Sequence, residues 1–128
     1  MTASAEFLSS VEHIMDVEFP VISASDSIAA ARLITDRVNG EPVAVVDDRG
    51  GLKGILTSEA LLLDSSMTAG QVATNPRLTV APHESAFGVV SRMLNRRVDW
   101  APVVREGKLI GTVSRECIRS AFGESHSV

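Results

Sequence analysis

The chain has no tyrosine, one tryptophan and four phenylalanines among 128 residues. A core of stacked rings is excluded, so Val, Ile, Leu and Ala must fill the interior. A single cysteine, Cys117, rules out an intrachain disulfide and suits a reducing compartment, so a cytoplasmic location is expected. Positive charge is not in excess: the net charge is −4, which disfavours nucleic-acid backbones and anionic lipid as partners. No apolar run approaches the roughly 20 residues that span a bilayer. The first residues lack a basic segment followed by an apolar one, so no secretory signal is expected.

Signals for catalysis are also missing. His13, His83 and His126 have no ligand spacing with one another or with Cys117, so no metal site is expected. The glycine-rich run at 50–54 lacks the Lys-Ser/Thr ending of a phosphate-binding loop and reads as a hairpin turn. No nucleophile elbow occurs. The chain is expected not to be an enzyme.

What is present is an internal repeat. The apolar fraction is 45% and the charged fraction 22%, which suits one domain or two half-size units. Shifting the chain by 58 places lays Val46 on Val104, Ser27 on Ser85, Ile22 on Val80 and Ile14 on Val72. One extra residue in the turn at 47–50 reduces the offset to 57. Gly50 then falls on Gly107, Gly54 on Gly111, Thr57 on Ser114 and Glu59 on Glu116. The glycines coincide at turns, where a left-handed backbone favours Gly.

Each copy predicts the series β-α-β-β-α. Residues 20–23 and 78–80 read as short strands. Asp26-Ser27 and Glu84-Ser85 are helix starts, because their side-chain oxygens can accept from first-turn amides. The helices are expected over 27–38 and 85–97. The β-branched runs 43–46 and 101–104 predict strands, and 52–56 and 108–113 their hairpin partners. Thr57 and Ser114 are candidate caps for helices ending near 63 and 122. Leu61, Leu62 and Leu63 would sweep about 200° around such a helix. One face cannot bury all three, so either one is exposed or the helix is sandwiched; the sandwich is favoured and predicts a second subunit.

Residues 102–114 read PVVREGKLIGTVS, and 45–57 read VVDDRGGLKGILT with Ala44 in place of the proline. Together with VEHIM at 11–15, these phrases resemble the CBS-domain signature. The chain is similar over residues 11–122 to a stand-alone pair of CBS domains, a Bateman module. The expected organisation is an extension at 1–10, repeats at 11–66 and 67–122, and a flexible tail at 123–128. The resemblance implies an α/β (α+β) sandwich of tandem repeats with pseudo-two-fold symmetry. It also implies clefts between the repeats, a homodimer, and a regulatory sensor of AMP, ADP, ATP or S-adenosylmethionine. The alternative is a dimerising scaffold that has lost nucleotide binding.

The resemblance places ligand contacts at Ile22, Ala24, Val43, Thr57 and Glu59 in the first repeat. In the second it places them at Val80, Trp100, Ala101, Pro102, Ser114, Arg115 and Cys117. In the family, the hydroxyl of the closing phrase meets phosphate, and an Asp three residues later accepts from the ribose. A carboxylate suits that role because both oxygens only accept. Here Thr57 and Ser114 keep the hydroxyl, but Ala60 and Cys117 replace the Asp. Glu59 and Glu116 lie one place earlier, either substituting for it or serving the amide-rich first turn. Trp100 is placed to stack on a purine, to fill the cleft, or to be an interior aromatic. Arg115, at a helix start, leads the candidate phosphate ligands, ahead of Arg77, Arg96 and Arg97. Cys117 reads either as a thiol with lowered pKa or as a small buried residue.

Overall fold

The structure, a computed structural model, describes residues 10–35, 41–63 and 66–123. The aliphatic residues separate into two cores, one in each of two bodies. The first body comprises residues 20–76 with the turn 106–109. The second comprises 77–105 and 110–123 together with 10–19.

In the first body, strand β1 (Val21–Ser23) runs parallel to β2 (Val43–Val46), which pairs antiparallel with β3 (Leu52–Leu56). Helix α1 (Ile28–Thr35) starts where Ser27 Oγ accepts from Ala30 N at 3.2 Å. Ile22, Ile28, Val43, Val45 and Leu56 make the core. In the β2–β3 turn, Asp47 Oδ1 accepts from Gly51 N at 2.8 Å and Arg49 N at 2.9 Å. Those two amides hold its carboxyl below the usual carboxylate range. Gly50 takes the left-handed conformation the turn needs, φ 84°.

The repeat phrase builds the second body again. Helix α3 (Ala86–Arg96) is capped by Ser85, whose Oγ accepts from Gly88 N at 3.1 Å, and it ends on Arg97 at φ 56°. Strands β4 (Trp100–Arg105) and β5 (Lys108–Ser114) form a hairpin, and helix α4 (Arg115–Gly123) follows. Val11, Val80, Val89, Met93, Val103, Val113 and Ile118 fill this core.

The opening segments are exchanged. Residues 10–19, which begin the first repeat, belong to the second body. Val11 is fully buried there, Val11 N donates to Glu84 O at 2.7 Å, and Asp16 pairs with Thr112 through bonds of 2.8 and 3.0 Å. Residues 67–76, which begin the second repeat, belong to the first body. Helix α2 (Ala69–Val72) starts with a capping box between Thr68 and Gln71, and Thr74 pairs with Ile55. Each receiving strand carries a glycine where the exchanged segment crosses it. A Cβ on Gly54 would lie 2.8 Å from Thr74 O, and one on Gly111 would lie 2.5 Å from Met15 Sδ.

Three expectations are corrected. The helix expected to run from Thr57 to residue 63 is a 3-10 turn, Ala60–Leu62. The strand expected at 78–80 is a single parallel bridge, Val80 to Val103. The one-turn helix α2 and a 3-10 turn at Val11–His13 add to the expected elements; both are segments of three or four residues, too short for a period to register. Helix α1 is described from Ile28 to Thr35, and the expected end at 36–38 lies outside the described residues. The chain that follows this turn is tethered. Only residues 64–67 connect Leu63 to the cap Thr68, and Met67 O is already bound by Ile28 N at 2.9 Å. A helix rises about 1.5 Å per residue against about 3.3 Å for extended chain, so continuing it would shorten the reach of that connection.

Candidate functional site

In the second body the candidate residues converge at one end of the β4–β5 hairpin. Ser114 closes β5 and caps α4, its Oγ accepting from Cys117 N at 2.9 Å. A hydroxyl that accepts still has its own hydrogen to donate. Arg115 N donates to Asp99 O at 2.9 Å, which ties the start of α4 to the residue before Trp100. Trp100 is partly buried as the first residue of β4. Val80 joins from the side: Val80 N donates to Pro102 O at 3.0 Å, and Val104 N to Val80 O at 2.8 Å. Val80, Ala101 and Pro102 are themselves buried, so this region offers a ligand their backbone and apolar surface only at the margin.

One cation stands at the start of α4. Arg115 is partly buried, and its Nε is a buried donor with no hydrogen-bond partner among the described residues. It stands at the positive end of a nine-residue helix. Arg96 is committed elsewhere, its Nη1 donating to the Arg77 carbonyl at 2.8 Å. Glu116 is exposed and faces Arg119 at 3.5 Å, a surface pair.

Cys117 does not have a lowered thiol pKa. Burial pushes it up, a backbone hydrogen bond from Ser114 opposes that, and the charge of Asp16 adds to the rise. The thiol donates to Ile14 O at 2.9 Å, so it fastens the opening segment to α4.

The first body arranges the same phrase differently. Val43 pairs with Leu56, which leads directly into Thr57. Thr57 is partly buried, and Ala60 N bonds to its carbonyl at 3.1 Å, not to its hydroxyl. Glu59 is exposed and caps nothing. Ile22 and Val43 sit in the core at 1% exposure. Ala24 is not brought to Thr57: it follows Ser23, which pairs with Val46 at the far end of β2. Three strand residues separate the two ends, about 10 Å. Ala60, at the position equivalent to Cys117, is buried in the core.

Arg32 belongs to no sequence motif, yet it organises this turn. Its Nε donates to Leu61 O at 2.9 Å and its Nη2 to Leu63 O at 3.0 Å. Sequence reasoning misses that contact because it joins residues far apart in the chain. Leu61 packs against the core, whereas Leu62 is 84% and Leu63 46% exposed. Among the described residues, no group of three or more His, Cys, Asp or Glu could hold a metal, and no helix is long and apolar enough to cross a membrane.

The sequence pattern of the CBS domain matches this chain twice, at residues 11–65 and 69–124. Solved structures share the fold. An acetoin utilization protein from Vibrio cholerae superposes with a TM-score of 0.81 at 18% identity, covering 93% of each chain. The CBS domain of a membrane protein from Sphaerobacter thermophilus gives 0.76 at 21%, covering 93% of this chain and 91% of that one. The CBS pair of protein MJ0100, in complex with 5'-methylthioadenosine and S-adenosyl-L-methionine, gives 0.73 at 27%, covering 92% and 98%. No curated protein is similar enough in sequence to count as a relative.

Proposed function

Because the chain belongs to the CBS-domain family, with two copies in tandem, we propose that it is a ligand sensor for an adenine nucleotide or a related adenosyl compound. Residues 11–66 and 67–122 act as its two functional repeats, in the cytoplasm, with no catalytic step of their own. The observation that carries this reading is the start of α4. There a fixed hydroxyl on Ser114, a cation on Arg115 with an unpartnered buried Nε, and the indole of Trp100 share one end of a hairpin. Phosphate or carboxylate suits the first two, and a purine suits the third. The adenosyl ligands of protein MJ0100, the most similar in sequence of the three structures compared, support the class.

The ribose is read without a carboxylate at the usual place. Ala60 is in the core and the Cys117 thiol is engaged with Ile14, so neither accepts from a ribose diol. A missing charge-assisted hydrogen bond weakens binding about tenfold to a hundredfold, which places the affinity in a modest range.

Thermal unfolding with AMP, ADP, ATP and S-adenosylmethionine at millimolar concentration tests the reading. A ligand at one hundred times its Kd stabilises by about 2.7 kcal/mol, which raises Tm by several degrees. No shift with any of the four would refute it. The second reading is a dimerising scaffold, favoured by exposed Leu62 and Leu63 beside the loss of both acidic positions. A second copy covering these leucines gives a dimer at micromolar concentration in sedimentation; a monomer would remove it.

A further inference from the structure

The two repeats carry different residues at one equivalent position: Arg32 in α1 and Val90 in α3. Val90 packs against the second core, as a valine on an apolar face should. Arg32 reaches out of the last turn of α1 to the carbonyls of Leu61 and Leu63. Those carbonyls need a donor. The turn at Ala60–Leu62 is closed by four short-range bonds, from the amides of residues 60–63 to the carbonyls of residues 57–60. Its last carbonyls therefore have no helical partner, and the chain leaves in extended form at Leu63, ψ 174°. In the second repeat α4 continues for nine residues and supplies those partners itself.

We infer that Arg32 is a positioning residue that holds the Thr57-bearing turn of the first repeat in its ligand-ready shape. The inference rests on the nucleotide reading of that turn. The guanidinium fork fits both acceptors, since Nε and Nη2 lie in one plane and the two carbonyls are two residues apart. A lysine has the charge but not the fork. Through the Leu61 and Leu63 carbonyls the clamp holds the C-terminal end of the run of 3-10 bonds that begins at the Thr57 carbonyl. Thr57 has no helix behind it to do this, whereas Ser114 has α4. Order at the first repeat's hydroxyl thus comes from a side chain in α1, and order at the second repeat's hydroxyl from the backbone that follows it.

The test uses the full chain, isotope-labelled, as wild type, Arg32→Met and Arg32→Lys, with amide hydrogen exchange and titration by ATP and by S-adenosylmethionine. In Arg32→Met, exchange at Leu61, Leu62 and Leu63 rises tenfold or more relative to wild type, while exchange at 117–119 is unchanged. The ligand response of the Thr57 and Ser58 amides weakens by about tenfold, and that of Ser114 and Arg115 stays. Arg32→Lys lies between. Equal exchange at 61–63 in all three proteins overturns the clamp. A loosened turn with an unchanged Thr57 response overturns its role in recognition. A wild type silent to both ligands defeats the nucleotide reading and the recognition half with it, and exchange then decides the clamp alone. If Arg32→Met fails to fold, the comparison of Arg32→Lys with wild type decides both points in the same way.

Discussion

The phrase after β3 and the phrase after β5 are close in sequence and different in structure. Thr57-Ser58-Glu59-Ala60 leads into a 3-10 turn of three residues, Ala60–Leu62, and Ser114-Arg115-Glu116-Cys117 opens a helix of nine. Composition does not explain this, because Glu, Ala and three leucines are good helix formers. The tether does. Residues after Leu63 must reach Met67, which is pinned to Ile28. A local preference lost to a length requirement set elsewhere in the chain.

The two receiving glycines offer the strongest way to break the equivalence of the repeats. Gly54→Ala would press its Cβ against Thr74 O, a backbone atom, at φ 154°. Gly111→Ala would meet first the Met15 thioether, which can turn aside, and then Asp16 O at 3.1 Å. Chemical denaturation should show Gly54→Ala losing about 2–3 kcal/mol and Gly111→Ala about 1 kcal/mol. Equal losses would mean that both exchanged segments yield alike.

Capping separates the hydroxyls next. Ser114→Ala removes the acceptor for Cys117 N and should cost about 1 kcal/mol. Thr57→Ala removes no cap and should stay within about 0.5 kcal/mol. A large loss at Thr57 would show that its hydroxyl supports the fold.

The cysteine gives a smaller, pH-dependent effect. Its folded pKa is raised by burial, so the native state holds the proton longer than the unfolded chain does. Its stabilising contribution is therefore full below the ordinary thiol pKa and lost as pH rises through the folded value. Tm of the wild type should fall in that alkaline window, and Cys117→Ser should flatten the fall. Identical profiles would show that the thiol contributes nothing to the pH dependence.

The smallest effect in energy is the most pointed structurally. Three residues inserted between Leu63 and Met67 relieve the tether, and Cα chemical shifts at 58–63 should move toward α-helix. Unmoved shifts would contradict the tether.

Much of the fold was legible. The β-branched run 43–46 and the run at 52–56 are the strands found, because stiff χ1 and a glycine turn are local properties. Ser27 and Ser85 cap as expected, since capping also depends on neighbours in sequence. The exchanged segments were not legible. Val11 and Ala69 are fully buried by partners far from them in the chain, and a periodicity search registers nothing so short. At the site, Ser114 and Arg115 stand out in sequence because the repeat aligns them with Thr57 and Ser58. Arg32 does not, because its use depends on a turn that replaced an expected helix. Cys117 reads as a lost aspartate, and only the structure shows its thiol bonded to Ile14.

Calorimetric titration of the full chain with ATP and with S-adenosylmethionine tests the central claim most directly, with Ser114→Ala and Arg115→Ala alongside. Saturable binding of at least one of them by the wild type is expected, with a loss of tenfold or more in each variant. Binding unaffected by both substitutions, or no heat from either ligand at millimolar concentration, would contradict the claim.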